Sequence, residues 1–256
     1  MKRTNIPLLT LGLLAASLGI VFTYCTREAA LMEGAGTSDK LWFALSLIVA
    51  IVGVLLTVIA FLPKPQPTNT RTLAMAALFA ALCYIGFTYG RIDIPVGGEK
   101  TAFHLGNVFC VLAALFLGGF WGGMSGAIGL TIADLTTAYV TSAPKTFLLK
   151  LGIGLITGLI AHELFHISRT KSRIPLPFAT VLSCIGGMAF NVVADPVVGY
   201  FYKTYVMGIP QEAAAIWAKM GAITTTVNAV IAVIAATTLY LALRPALKHA
   251  RLLPQI

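Results

Sequence analysis

Charge is scarce in this chain: 11% of its 256 residues are charged, where a soluble domain carries roughly 25%. That is too little polar side chain to coat a particle in water. Catalytic and nucleotide signatures are missing as well. No GxxxxGK[ST] loop is present, so the chain does not hold ATP through a P-loop. No GxSxG elbow offers a serine nucleophile. The four cysteines, Cys25, Cys83, Cys110 and Cys184, lie scattered in apolar runs without CxxC spacing. They are read as small packing residues rather than a redox or metal set. No internal repeat exists beyond the succession of helices, which argues against an inverted-repeat transporter. No catalytic residue, metal or cofactor is expected.

What the chain has is long apolar runs. Hydrophobic residues make up 58% of it, and mean hydropathy is +0.88. Windows of the roughly 20 residues that cross hydrocarbon give about eight spans. They fall near Ile6–Tyr24, Leu41–Leu62, Thr72–Tyr89, Phe103–Leu117, Trp121–Tyr139, Phe147–Phe165, Pro177–Tyr202 and Ile216–Leu243. Only Gly118, Gly119 and Phe120 separate the fourth from the fifth. Helices are required, because an open sheet would leave backbone groups unpaired in lipid. Lys2-Arg3 ahead of the first run resembles a signal peptide, but the run outlasts an h-region and no small-x-small cleavage site follows, so a retained span is expected. The connector PKPQPTNT (Pro63–Thr70) repels helix. It divides the chain into an N-terminal transmembrane hairpin, residues 1–66, and a six-helix core, residues 67–256.

The net charge of +9 is placed unevenly. Lys2, Arg3, Lys64, Arg71, Arg169, Lys171, Arg173, Arg244, Lys248 and Arg251 gather on one side with no acid among them. The other side mixes Arg27, Lys40, Arg91, Lys100, Lys145 and Lys203 with Glu28, Glu33, Asp39, Asp93, Glu99 and Glu212. The positive-inside rule assigns the first set and both termini to the cytoplasm. Nucleic acid is not needed to explain the charge.

Ionisable groups in hydrocarbon are costly and face a partner or a cavity. The core carries Asp134, Lys150, Glu163 and Asp195 within spans, plus His104, Asn107, Asn191 and Asn228. Helix rise puts Asp134 about 8 Å, Lys150 about 5–8 Å and Asp195 about 10 Å below the outer surface. His104 and Asn107 open a span that starts on the same side. Two arrangements fit: an Asp134–Lys150 structural ion pair with His104 and Asn107 as caps, or one binding cavity in the outer leaflet. Apolar walls with a few convergent polar groups favour the cavity. RIDIPVGGEK (Arg91–Lys100) would then be a mobile lid or a plain connector, with Thr141–Lys145 beside it. Phe103 and Tyr139 could stack on a heteroaromatic ring.

Small residues mark close helix packing. Ala76/Ala80 and Ala77/Ala81 recur at small-xxx-small spacing, as do Gly118, Gly122 and Gly126, and Gly154 and Gly158. Each stripe serves packing within the chain or a docking face for another membrane subunit.

His162-Glu163-Leu164-Phe165-His166 spells HExxH, the zinc-protease pattern of two imidazoles and a base on one helix face. A third ligand is required. Asp134 and Asp195 stand toward the opposite end of the bundle, about 15 Å away by helix rise, and His249 lies in a basic tail. Interfacial histidines at a helix end account for the pattern more simply.

The stretch TAFHLGNVFCVLAALFLGGFWGGMSGAIGLTIADL (Thr101–Leu135), with APKTFLLKLGIGLITGLIAH (Ala143–His162) and GGMAFNVVADPVVGYFYK (Gly186–Lys203), resembles the S components of energy-coupling factor (ECF) vitamin transporters, riboflavin-type family. The resemblance covers about Arg71–Arg251. It implies an all-α, six-helix membrane bundle with a substrate pocket near the outer face; the N-terminal hairpin is extra to that unit. It implies capture of a small-molecule vitamin or vitamin precursor, not necessarily riboflavin. Lys150 and Asp134 would make charged contacts, and His104, Asn107, Asn191 and Asp195 hydrogen bonds. It further implies that Ala76, Ala77, Ala80 and Ala81 dock on a transmembrane coupling subunit joined to two ATP-binding cassette ATPases. A stand-alone secondary transporter and the intramembrane zinc metalloprotease are the alternatives.

Overall fold

In the computed structural model, residues 6–31, 69–96, 98–168 and 174–250 are described, with scattered positions between 36 and 60. Helix α1 spans Ile6–Leu31. Its small residues meet the partly described segment after it: Gly12 faces Thr57, Gly19 faces Ala50, and Ala16 faces Gly53. Thr23 Oγ1 donates to Ser46 Oγ at 2.9 Å. Most of the span expected at Leu41–Leu62, and the proline connector up to residue 68, lie outside the described residues. So do the basic residues Lys2, Arg3, Lys64, Arg169, Lys171, Arg173 and Arg251.

Helix α2, Thr70–Thr88, starts where Asn69 Oδ1 accepts the Thr72 N–H at 2.7 Å, one of the orphan donors of a helix start. The chain then forms a β-hairpin, β1 Arg91–Val96 and β2 Glu99–His104, paired antiparallel from Arg91↔His104 to Val96↔Glu99. Hydropathy had suggested a lid or connector followed by a helix from Phe103. The Gly97-Gly98 pair between the two β-strands is a hairpin signal in its own right, and Gly98 has φ 89°.

Helix α3, Gly106–Leu135, folds back on itself. Gly118 has φ 81° and ψ 172°, a conformation open to glycine and denied to side chains. On either side of it Gly122 lies against Ala114, Gly126 against Cys110, and Gly106 against Leu130. Residues eight or more apart would be about 12 Å or more distant along one continuous helix, so these contacts define two antiparallel arms, 106–117 and 119–135. The first arm is about 18 Å long, short of the roughly 30 Å of hydrocarbon. The β-hairpin occupies the remaining height at that end.

Helix α4, Ala143–Gly158, opens with Pro144 in its first turn and widens into a π-helical turn, Leu159–Leu164. Helix α5, Leu176–Phe201, does the same at Tyr202–Val206. Helix α6, Gln211–His249, closes the core. The chain thus alternates ends. The β-hairpin, the α3–α4 turn and the α5–α6 turn share one end; Gly118, the α4–α5 connection and the end of α6 share the other.

α3 packs between α2 and α4, α5 rests on α4 and α6, and α6 reaches α3 and β2. At the closed end, Gly154 meets Gly123 and Gly158 meets Gly119, the backbone-to-backbone packing that small residues allow in membranes. Outward-facing side chains are apolar, among them Leu73, Leu78, Ile85, Ile132, Val193, Val230 and Ile234. Six helices among the described residues are long and apolar enough to cross a bilayer: Leu8–Thr26, Thr70–Thr88, Gly106–Leu135, Val140–Leu164, Leu176–Val206 and Gln211–His249. The protein is a predominantly helical membrane protein.

Candidate substrate cavity

A cavity of about 140 Å³ lies at the β-hairpin end. Its walls come from β2, the ends of both α3 arms, the start of α4, the late part of α5 and the start of α6. His104, Asn107, Asp134, Lys150, Asn191 and Asp195 all line it. Their convergence follows from the fold: each stands near the point where its element meets the same end of the bundle.

The Asp134–Lys150 ion pair, the alternative weighed against a cavity, does not form. Asp134 accepts from Thr146 Oγ1 at 2.6 Å. Asp195 pairs with Lys145 Nζ at 2.8 Å and accepts from Thr225 Oγ1 at 3.0 Å. Lys145 had been assigned to an external loop because hydropathy begins α4 at Phe147. Pro144 signalled the earlier start, since proline is favoured at the first helical position. That start puts Lys145 one turn before Leu149 and its ammonium into the cavity wall. Lys150 is 8% exposed, and its Nζ donates to Asn191 Oδ1 at 3.4 Å. Among the described residues no carboxylate lies within ion-pair distance of it.

His104 is half-buried beside Phe87, ring centroids 4.8 Å apart. Burial and the nearby Lys150 ammonium push its imidazole down to about 3, so it is neutral at pH 7. Its Nδ1 has no hydrogen-bond partner, and neither has Asn107 Oδ1, although both are buried. Phe103 alternates to the other face of β2 from His104 and does not line the cavity. Phe87, Tyr139 and Trp217 are the aromatic walls.

One face of α6 clasps the β-hairpin. Asn228 Oδ1 accepts the His104 N–H at 3.0 Å, and its Nδ2 donates to the Ala102 carbonyl at 3.0 Å. Thr224 and Thr101 share a hydrogen bond at 2.8 Å, and Trp217 Nε1 donates to the Val96 carbonyl at 2.8 Å. Residues 217, 221, 224 and 228 fall on one helical stripe. Side chains thereby satisfy part of an edge that two β-strands alone leave open. On the other flank, Tyr139 donates to Asp93 Oδ1 at 3.0 Å, and Arg91 pairs with Asp93 at 3.1 Å while lying over the Phe87 and Tyr139 rings. The segment expected as a lid or connector forms a β-hairpin held by side chains on both flanks. Lys203, with its Nζ 4.1 Å above the Trp217 ring, and Thr225 also belong to the cavity. Lys203 had been counted only among the outer-side charges, because its span was ended at Tyr202, and nothing in the hydropathy distinguishes Thr225 from its neighbours.

The HExxH lies at the opposite end, in the π-helical turn. The Ala114 carbonyl stands one turn before the break at Gly118. His162 Nε2 lies 3.1 Å from that carbonyl, and Nδ1 lies 2.6 Å from Ser168 Oγ. A carbonyl only accepts, so Nε2 carries the proton and Nδ1 accepts from the serine. His166 Nδ1 meets the His162 carbonyl at 2.9 Å. Among the described residues no group of three or more His, Cys, Asp or Glu side chains comes together as a metal site.

Ala76, Ala77, Ala80 and Ala81 line a second, apolar groove of about 470 Å³ between α2 and the second α3 arm. Ala76 is buried, its carbonyl accepting from Ser125 Oγ at 3.0 Å, and the Ala80 carbonyl lies against Gly129. Ala77 and Ala81 are exposed.

The model of the ECF-type riboflavin transporter S component family matches residues 67–245. No curated protein and no solved structure matches the chain. The chain belongs to the ECF-type S component family, a family of vitamin transporters and not of enzymes.

Proposed function

We propose that this S component captures a vitamin or vitamin precursor in the cavity beneath the β-hairpin and delivers it through a partner coupling subunit driven by two ATP-binding cassette ATPases. The observation that carries this is the gathering of His104, Asn107, Asp134, Lys150, Asn191 and Asp195 around one hollow near the end of an apolar bundle. In hydrocarbon such a set is tolerated where it serves a ligand. The cavity faces the outside, and both termini are cytoplasmic. In support, Arg71, Arg244 and Lys248 stand at the end opposite the cavity, whereas Asp93 and Glu212 accompany the basic residues at the cavity end. The chain crosses the membrane eight times, with residues 1–66 forming a hairpin ahead of a six-helix core in 67–256.

The groove on α2 is the docking face for the coupling subunit. Ala77 and Ala81 are exposed along it, and its lining is almost wholly apolar, as a helix–helix contact in lipid requires. Co-expression with a coupling subunit and its ATPases tests this. Wild type is expected to co-purify with them and take up ligand only with ATP. Ala77→Leu/Ala81→Leu is expected to lose the complex while still binding ligand. Uptake by this chain without ATPases would make it a stand-alone secondary transporter instead.

A further inference from the structure

The cavity carries more information than its location, because its polar groups are unequally satisfied. Both carboxylates are already engaged: Asp134 by Thr146, and Asp195 by Lys145 and Thr225. Neither needs a donor from a ligand. Lys150 is in the opposite condition. Its ammonium has three donors and one long contact to Asn191. Beside it, buried Asn107 Oδ1 and His104 Nδ1 have no partner. Lys100, Lys145, Lys150 and Lys203 line the cavity against two aspartates. An excess of one sign in a low-dielectric cleft selects the opposite charge in a ligand.

Size is the second constraint. About 140 Å³ is close to the roughly 150 Å³ of an engineered cavity that takes one benzene molecule. Room exists for one aromatic ring with small substituents, between Phe87, Tyr139 and Trp217. A three-ring flavin exceeds this volume.

From these two constraints, and resting on the reading of this cavity as the substrate site, we infer that the substrate is a compact single-ring acid whose carboxylate or comparable anionic group is held by Lys150. Ring substituents complete the hydrogen bonding of Asn107 and His104. A cationic substrate finds no unengaged carboxylate among the described lining residues. A neutral one leaves the buried Lys150 ammonium without an ion-pair partner, a costly state.

The test uses the full-length protein in detergent, with thermal unfolding and calorimetry as readouts. The probes are nicotinate and benzoate, their neutral amides nicotinamide and benzamide, and riboflavin. At least one acid is expected to raise Tm and to bind at least tenfold more tightly than its amide. Lys150→Met is expected to weaken that acid at least tenfold. Asn107→Asp, which adds a carboxylate to the cavity wall without changing shape, is expected to weaken the acid more than the amide; it serves as the second variant should Lys150→Met not fold. The inference is overturned if neither acid binds, if acid and amide bind alike, or if riboflavin binds with an affinity that Lys150→Met leaves unchanged. In that last case the importer stands and only its substrate class falls. Failure of the importer itself would appear separately, as absence of ATP-dependent uptake with the coupling subunit and ATPases present.

Discussion

The two ends of the core are built from the same pair of helix faces and behave in opposite ways. On α4, Gly158, Gly154, Lys150 and Thr146 follow each other at intervals of four. On the second arm of α3, Gly122, Gly126, Leu130 and Asp134 do the same. Toward the Gly118 end, both stripes are glycine: Gly154 and Gly158 meet Gly123 and Gly119, while Gly122 and Gly126 receive the first α3 arm. Toward the β-hairpin end, the same stripes carry a lysine, a threonine and an aspartate, and the helices enclose a cavity. Close contact at one end anchors the bundle, so that the other end can hold polar groups apart without collapsing. Close backbone packing and buried polar groups thereby fall on different turns of the same helices.

Substitutions at each end sharpen this contrast. The largest effect is expected for Gly154→Val. Its new Cβ would overlap the Gly123 backbone, where no flexible side chain can give way. Overpacking costs about 1–3 kcal/mol, and more where backbones clash. Detergent size-exclusion profiles should show loss of monodisperse protein; a wild-type profile would remove the anchoring role from this end. Next comes Asp195→Ala, which removes the carboxylate paired with Lys145. Both side chains are partly exposed, 13% and 22%, so the cost sits below the 3–5 kcal/mol of a fully buried pair, at about 2 kcal/mol. Thermal unfolding would register it.

Trp217→Phe removes the hydrogen bond to Val96 and should cost about 1 kcal/mol. Its effect is local: hydrogen exchange should quicken across 91–104 and stay unchanged at the glycine contacts. Uniform acceleration would mean that the two ends are not independent. Smallest of all is the stability effect of Lys150→Met. Removing a buried charge that lacks a carboxylate within reach is expected to be neutral or mildly stabilising without ligand, by up to about 1 kcal/mol. A marked fall in Tm would show that Lys150 holds the fold rather than a ligand.

Much of the site was legible from helix rise alone. Counting residues from the predicted ends of spans placed Asp134, Lys150 and Asp195 at one level, and the cavity includes all three. The fold-back at Gly118 was legible as a break between two apolar runs. What the sequence did not disclose was pairing. Depth says which groups can meet but not which rotation of each helix brings them together, so Asp134–Lys150 was the pair considered, while Lys145, placed in a loop, was not set against Asp195. The β-hairpin escaped because its β-strands are short and only partly apolar. Its hold comes from Trp217, Thr224 and Asn228, more than a hundred residues downstream. His162 shows the reverse: a motif legible as chemistry has its histidine hydrogen-bonded to the Ala114 carbonyl and Ser168 instead.

The central claim is that a small molecule occupies the hollow between the β-hairpin and Lys150. Native mass spectrometry of gently purified wild type and Lys150→Ala, both shown to be folded, tests it directly. A retained small molecule on the wild type and none on the variant is the expected result. The same adduct on both proteins, at equal occupancy, would contradict it.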